Sequence, residues 1–228
     1  MDGLHQNIFK EFLQDLNDNE IIYYLLRGFE KLPHEPDTDI DLVCNLNQYD
    51  DYIKIADKNL EHVKQYASTY PQGTYNAGFA EYANMLYTPY MTPGPEDASL
   101  PNGGFRVDSY NCLFFYSPLN NFTKHWTLPF EFNSYVFKNR KKVDYYFTPS
   151  AECDVLLLTL RNVLDIQGNG RAKTWKQKHV NRIEKILQDC DKTELLKCFK
   201  MVLPDHEKIV NFIYEKKYTN IFNEIIKY

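Results

Sequence analysis

No stretch of this chain approaches the run of about eighteen apolar residues that a membrane-crossing helix needs, so none is expected. The opening residues, Met1-Asp2-Gly3-Leu4-His5-Gln6-Asn7, lack a basic stretch followed by an apolar one, which argues against a secretory signal. No Cys-x-x-Cys occurs, and the five cysteines (Cys44, Cys112, Cys153, Cys190, Cys198) are odd in number. That speaks against a zinc site or a disulfide framework and for reduced, mostly buried thiols in a cytoplasmic protein. A basic excess is also missing: 26 Lys and Arg face 31 Asp and Glu, for a net charge of −5. Proteins that hold long nucleic acid usually carry a basic surface, so that class of partner is disfavoured. No internal repeat is visible. What is present is ample core material, 18 Tyr and 15 Phe in 228 residues, enough for one large domain or two small lobes.

The most informative stretch begins with Ile21-Ile22-Tyr23-Tyr24-Leu25-Leu26, an apolar, β-prone segment that reads as a buried strand. Arg27-Gly28-Phe29 and a loop follow, then Asp39-Ile40-Asp41-Leu42-Val43-Cys44, which reads as a second strand. Side chains two apart on a strand share a face, so Asp39 and Asp41 should project together. Two adjacent carboxylates repel unless a cation lies between them, and an acid inside an apolar strand is costly unless paired or metal-bound. A hard divalent ion suits oxygen ligands and often brings a substrate phosphate with it. Asp37, after Pro36, reads as an ordinary loop acid.

The strand, the glycine turn and the Asp-x-Asp on the next strand resemble the nucleotidyltransferase superfamily. That superfamily includes DNA polymerase beta, poly(A) polymerase and the aminoglycoside nucleotidyltransferases. The fuller wording, Tyr24-Leu25-Leu26-Arg27-Gly28-Phe29-Glu30-Lys31-Leu32-Pro33 leading into Thr38-Asp39-Ile40-Asp41-Leu42-Val43, looks like a bacterial branch often encoded near surface-polysaccharide genes. The resemblance implies Asp39 and Asp41 as metal ligands and Arg27, Gly28 and Phe29 at the nucleotide phosphates. One departure stands out: the superfamily usually places Ser after the glycine, and this chain has Phe29. The phosphate contact then falls to Arg27 or to a backbone amide near Gly28.

The superfamily also needs a third acid on a neighbouring strand. Asp108 is the candidate, embedded in the β-prone Phe105-Arg106-Val107-Asp108-Ser109-Tyr110-Asn111-Cys112-Leu113-Phe114-Phe115-Tyr116. Three carboxylates can hold two divalent ions, Mg²⁺ or Mn²⁺, and Asp108 would also serve as general base.

The wider pattern predicts an α/β (α+β) fold: a nucleotidyltransferase-type mixed sheet flanked by helices over 1–148, then a helical substrate-binding lobe over 149–228. Helical spacing is expected over Leu4–Leu16 and Gln48–Ser68, with Asn45–Asn47 as a cap. Gly78–Tyr87 reads in part as a strand, and Thr88–Gly104, with four prolines, as a loop beside the site. Phe130–Phe137 suits either strand or short helix, Lys138–Lys142 a basic turn, and Val143–Phe147 a short strand. Helices are expected over Cys153–Asp165, Arg171–Cys190 and Thr193–Val202, with two more over Asp205–Tyr228.

Arg171–Arg182 is the most basic segment, and by the resemblance Lys173 or Lys178 would reach the triphosphate. Trp175 reads more readily as packing than as a base platform, and a lone His such as His125 or His179 as structural. The leading expectation is Mg²⁺-dependent transfer of a nucleoside monophosphate from an NTP to a small hydroxyl acceptor, a sugar or polyol phosphate, in the cytoplasm and away from membranes. Two alternatives share the carboxylates: a fukutin-like transferase drawing a phospho-alcohol from a CDP-linked donor, and a toxin or defence nucleotidyltransferase acting on tRNA or protein.

Overall fold

A computed structural model describes residues 4–29, 32, 39–62, 87–92, 106–116, 125–164 and 175–227. The chain is a mixed α/β protein that divides into two compact units. The first comprises residues 1–112 and 140–148, the second residues 113–139 and 149–228. The stretch 113–139, assigned to the first lobe by the sequence reading, thus groups with the helical part.

In the first unit, α1 (Leu4–Asp18) places Phe9, Phe12, Leu13 and Leu16 on one buried stripe. The strands β1 (Tyr23–Arg27) and β2 (Asp39–Cys44) follow. Asn45 then caps a short 3₁₀ turn, its side chain accepting from the Asn47 amide at 3.0 Å. The turn runs into α2 (Tyr49–Asn59). The next strands are β3 (Glu61–His62), β4 (Tyr87–Met91) and β5 (Arg106–Tyr110), and the sheet order is β1-β2-β5-β4-β3. β1 and β2 are antiparallel, β2 and β5 parallel, and β4 antiparallel to both its neighbours.

The two faces of this sheet differ because its central strands alternate strictly. Ile40, Leu42 and Cys44 of β2, Val107 of β5, Tyr90 of β4, and Tyr23 and Leu25 of β1 form one hydrophobic cluster with the α1 residues and with Tyr49, Tyr52 and Ala56 of α2. Ser109, a polar residue on that face, is satisfied: its carbonyl accepts from the Tyr49 hydroxyl at 3.1 Å, and its hydroxyl is bonded to that of Tyr52. Residues of opposite parity, Asp39, Asp41, Arg106, Asp108 and Tyr110, belong to the other face.

Four expectations need correction here. Helix α2 ends at Asn59 instead of continuing to Ser68, because Leu60 is extended and Glu61–His62 pair with β4. Residues 87–91, expected largely within the proline-rich loop, form β4; among the described residues β3 pairs with Tyr90 and Met91 and not with Pro89, and a proline is tolerated where a strand lacks a neighbour. The single β-prone run Phe105–Tyr116 is two strands in different sheets, β5 and then β6 (Phe114–Tyr116), broken at Asn111. Val143–Phe147 is not one strand: a hairpin of β8 (Lys141–Val143) and β9 (Tyr146–Thr148), after β6 and β7 (His125–Thr127) in chain order, turns at Asp144, whose φ is 54°. That hairpin belongs to the first unit through Tyr146 in its core, Phe147 edge-on to Tyr23 at 5.8 Å, and the Asn17 amide donating to the Tyr145 carbonyl at 2.8 Å. The rest of the expected strand and proline-rich loop, residues 78–86 and 93–104, lies outside the described residues.

In the second unit β6 pairs with β7 (His125–Thr127). The ambiguous segment after it is a helix, α3 (Phe130–Asn139), so the basic stretch Lys138–Lys142 is a helix end running into β8, not a turn. The Asn133 side chain ties α3 to the hairpin, donating to the Leu128 carbonyl at 3.1 Å and accepting from the Leu113 amide at 3.3 Å. α4 (Ala151–Leu164) is buried on nearly every side, the mark of a central helix. Against it pack α5 (Gln177–Ile186) and α6 (Lys192–Lys200); α7 (His206–Tyr214) packs on α6, and α8 (Tyr218–Ile225) on α7. Asp191 caps α6, accepting from the Thr193 and Glu194 amides at 2.8 and 3.0 Å. No helix among the described residues is long and apolar enough to cross a membrane.

Candidate functional site: a row of buried acids

In the parallel pair β2–β5, Asp41 is the register partner of Asp108, and Asp39 the partner of Arg106. Register partners on adjacent strands share a face. The backbone therefore sets Asp39, Asp41 and Asp108 on one side of the sheet, opposite the hydrophobic cluster. Asp41 is 1% exposed and Asp108 3%. Acids so deeply buried need a positive partner.

Each has one. Arg27 donates from Nη2 to Asp41 Oδ1 at 2.6 Å, and its Nε lies against Asp41 Oδ2, so the guanidinium spans both oxygens. Arg106 donates from Nη2 to Asp108 Oδ2 at 2.8 Å. The Tyr110 hydroxyl donates to Asp41 Oδ1 at 3.2 Å.

The position of Arg27 has a specific backbone cause. Tyr23 and Leu25 are on the cluster face, so an unbroken strand would put Arg27 there too. Instead the register changes between Leu25 and Arg27: Leu25 pairs with Leu42 and Arg27 with Asp41, two steps on β1 against one on β2. This β-bulge turns Arg27 to the acid face, the re-aiming for which bulges are known. Gly28 follows directly, buried, with φ at 79°. A β-carbon is disfavoured there, so Gly28→Ala is expected to lower stability by about 1–2 kcal/mol, or roughly 2–8 °C in Tm. Thermal unfolding checks this, and an unchanged Tm would mean that the turn relaxes freely.

The remaining expected site residues are distributed differently. Phe29 turns its side chain toward the hydrophobic cluster, with its ring 6.2 Å from that of Tyr146, so only its backbone is left to meet a phosphate. Lys178 is exposed on α5 of the second unit, and Lys173 lies outside the described residues. Arg182 pairs with Asp154 at 2.5 Å, and His179 is buried with Nδ1 3.2 Å from the Asn162 side-chain oxygen. Trp175 packs on Tyr218, ring centroids 4.7 Å apart. Trp175, His179 and Arg182 of the most basic segment thus hold the second unit together, while Lys176 and Lys178 are exposed. Arg106 and Tyr110 were not singled out from the sequence; the signal was there, in the period-two alternation Arg106, Asp108, Tyr110 around buried Val107 and Ser109.

All five cysteines are free. Burial pushes the partly buried Cys112 thiol up to about 12. Its thiolate fraction at pH 8 should then be about a thousandfold below that of an ordinary thiol. Iodoacetamide labelling is expected to be correspondingly slow, and labelling at the rate of a free peptide thiol would contradict this.

Among the described residues no group of three His, Cys, Asp or Glu side chains is placed to hold a metal ion. Asp41 and Asp108 nevertheless fit a hard divalent cation in donor type, and both already face a cation, in each case a guanidinium. Neither a family model nor a curated protein matches the sequence.

Proposed function

We propose that the acid row is the centre of a Mg²⁺-dependent nucleotidyltransferase with a nucleotidyltransferase-type sheet, acting on an NTP and a small hydroxyl acceptor. The observation that carries this reading is the in-register placement of Asp41 and Asp108 on neighbouring parallel strands, both buried on one face. The glycine turn after β1, the Asp-x-Asp of β2 and a third acid on the adjacent strand support it further. The acidic charge balance favours a small acceptor over long nucleic acid.

Magnesium, when bound, supplies charge for the triphosphate and makes the attacking hydroxyl more acidic. Asp39, Asp41 and Asp108 would hold it. Asp108 accepts the proton of the acceptor hydroxyl as the new oxygen–phosphorus bond forms at the α-phosphorus and pyrophosphate leaves. Arg27 and the backbone around Gly28 orient the phosphates.

A second reading is favoured by one feature: Phe29 turns into the core, where the superfamily usually offers a hydroxyl to the triphosphate. A CDP-linked donor, having no γ-phosphate, needs that contact less. Pyrophosphate release from each of the four NTPs, with and without Mg²⁺, decides between them. Turnover of one NTP supports nucleotidyl transfer. CMP release from a CDP-alcohol with no NTP turnover replaces it with the second reading, and transfer of NTP-derived label to tRNA points to the toxin class.

A further inference from the structure

Each buried carboxylate of the row is covered by an arginine that is the more exposed member of the pair. The Arg27 side chain is 28% exposed against 1% for Asp41, and that of Arg106 24% against 5% for Asp108. A cation approaching either carboxylate from solvent therefore meets a guanidinium first. Arg27 is brought there by a bulge, and Arg106 occupies the register position across from Asp39, two residues from Asp108 on the same face. Arg106 is thus placed between two acids of the row. Both arginines belong to the first unit and to the strands that carry the site.

We propose that Arg27 and Arg106 are exchangeable counter-ions: they neutralise the acids before a metal binds, are displaced from them by the metal, and then bind the donor's phosphate oxygens. This rests on the nucleotidyl-transfer reading and adds Arg106 to its phosphate-binding set. The chemistry is plain. A guanidinium and a divalent cation compete for the same carboxylate oxygens, whereas a guanidinium and a triphosphate are complementary and can pair in a two-pronged geometry. Metal alone must break two ion pairs. Metal arriving with a triphosphate gives both guanidiniums new anionic partners, so metal and polyphosphate bind cooperatively, each raising the affinity for the other by the same factor.

The proposal gives opposite signs for two ligands in one variant. In Arg106→Gln the competitor is gone, so Mn²⁺ alone, followed by its electron paramagnetic resonance signal, should bind about tenfold more tightly than in wild type. Inorganic tripolyphosphate with saturating Mg²⁺, titrated by calorimetry, should bind about tenfold more weakly. Arg27→Gln should behave alike. Loss of affinity for both ligands, or no change in Mn²⁺ affinity, would make the arginines fixed scaffolding and overturn the proposal while leaving nucleotidyl transfer standing. A wild-type protein that binds neither ligand would remove both.

Should the glutamine variants not fold, the wild-type chain gives the same answer. The Nε–Hε resonances of the two arginines, assigned through Arg27→Lys and Arg106→Lys, should move on addition of Mg²⁺ and move again, in a different direction, with tripolyphosphate. Resonances that stay fixed through saturation would overturn the exchange.

Discussion

Asp41→Asn is expected to reduce Mg²⁺-dependent pyrophosphate release by about a thousandfold or more, equivalent to roughly 4 kcal/mol of transition-state stabilisation. The amide keeps the shape of the carboxylate and an oxygen for Arg27, so the fold should survive. What it loses is the charge that a divalent cation requires. Asp108→Asn is expected to fall as far, because it removes a ligand and the proton acceptor together. Asp50→Asn, at an exposed position in the first turn of α2, should leave turnover unchanged. Steady-state turnover with the preferred NTP, measured beside thermal unfolding, separates loss of chemistry from loss of fold. Full activity in either site variant would remove the acid row from the reaction.

A second large effect concerns stability, and its sign depends on whether one partner or both are changed. Asp41→Leu deletes both carboxylate contacts of Arg27 and should destabilise the protein by about 2–4 kcal/mol. The double substitution Arg27→Met with Asp41→Leu removes the charge pair altogether. Replacing a buried pair by apolar groups of similar size is often neutral or stabilising, so the double variant should return to within about 1 kcal/mol of wild type or exceed it. Both variants should be inactive. A site held for function against stability behaves this way. Chemical denaturation of the wild type and the two variants is the measurement, and a double variant as unstable as the single one would mean that the pair is structural cement.

The sheet core was legible because its residues obey one period. The alternation of Asp39, Ile40, Asp41 and Leu42 fixes which face is apolar, and β2 has the bounds that the alternation suggests. α1 was legible for the same reason at helical period, through Phe9, Phe12, Leu13 and Leu16. The bulge at Leu25–Arg27 was not, since an extra residue in an apolar strand leaves no mark in its composition. The break between β5 and β6 was hidden similarly, because Phe, Tyr and Cys on either side of Asn111 are β-prone and do not record a change of sheet.

At the site, acids inside an apolar strand announced themselves by their cost, while their partners did not. Arg106 lies two residues before Asp108, where a charged residue at a strand start looks unremarkable until the register places it across from Asp39. The basic segment Arg171–Arg182 is less uniform than its charge count: Arg182 and His179 are occupied by buried partners, Asp154 and Asn162, while Lys178 is exposed. Charge counts in sequence do not reveal which cations are already spoken for.

The most direct test is anomalous diffraction from crystals of the full chain grown with Mn²⁺ and a non-hydrolysable NTP. The expected result is a manganese peak at bonding distance, about 2.1 Å, from carboxylate oxygens of both Asp41 and Asp108, with Arg27 and Arg106 turned to the phosphates. Nucleotide bound elsewhere, or an acid row with both arginines still in place and no manganese at saturating ligand, would contradict the assignment of this face as a catalytic centre.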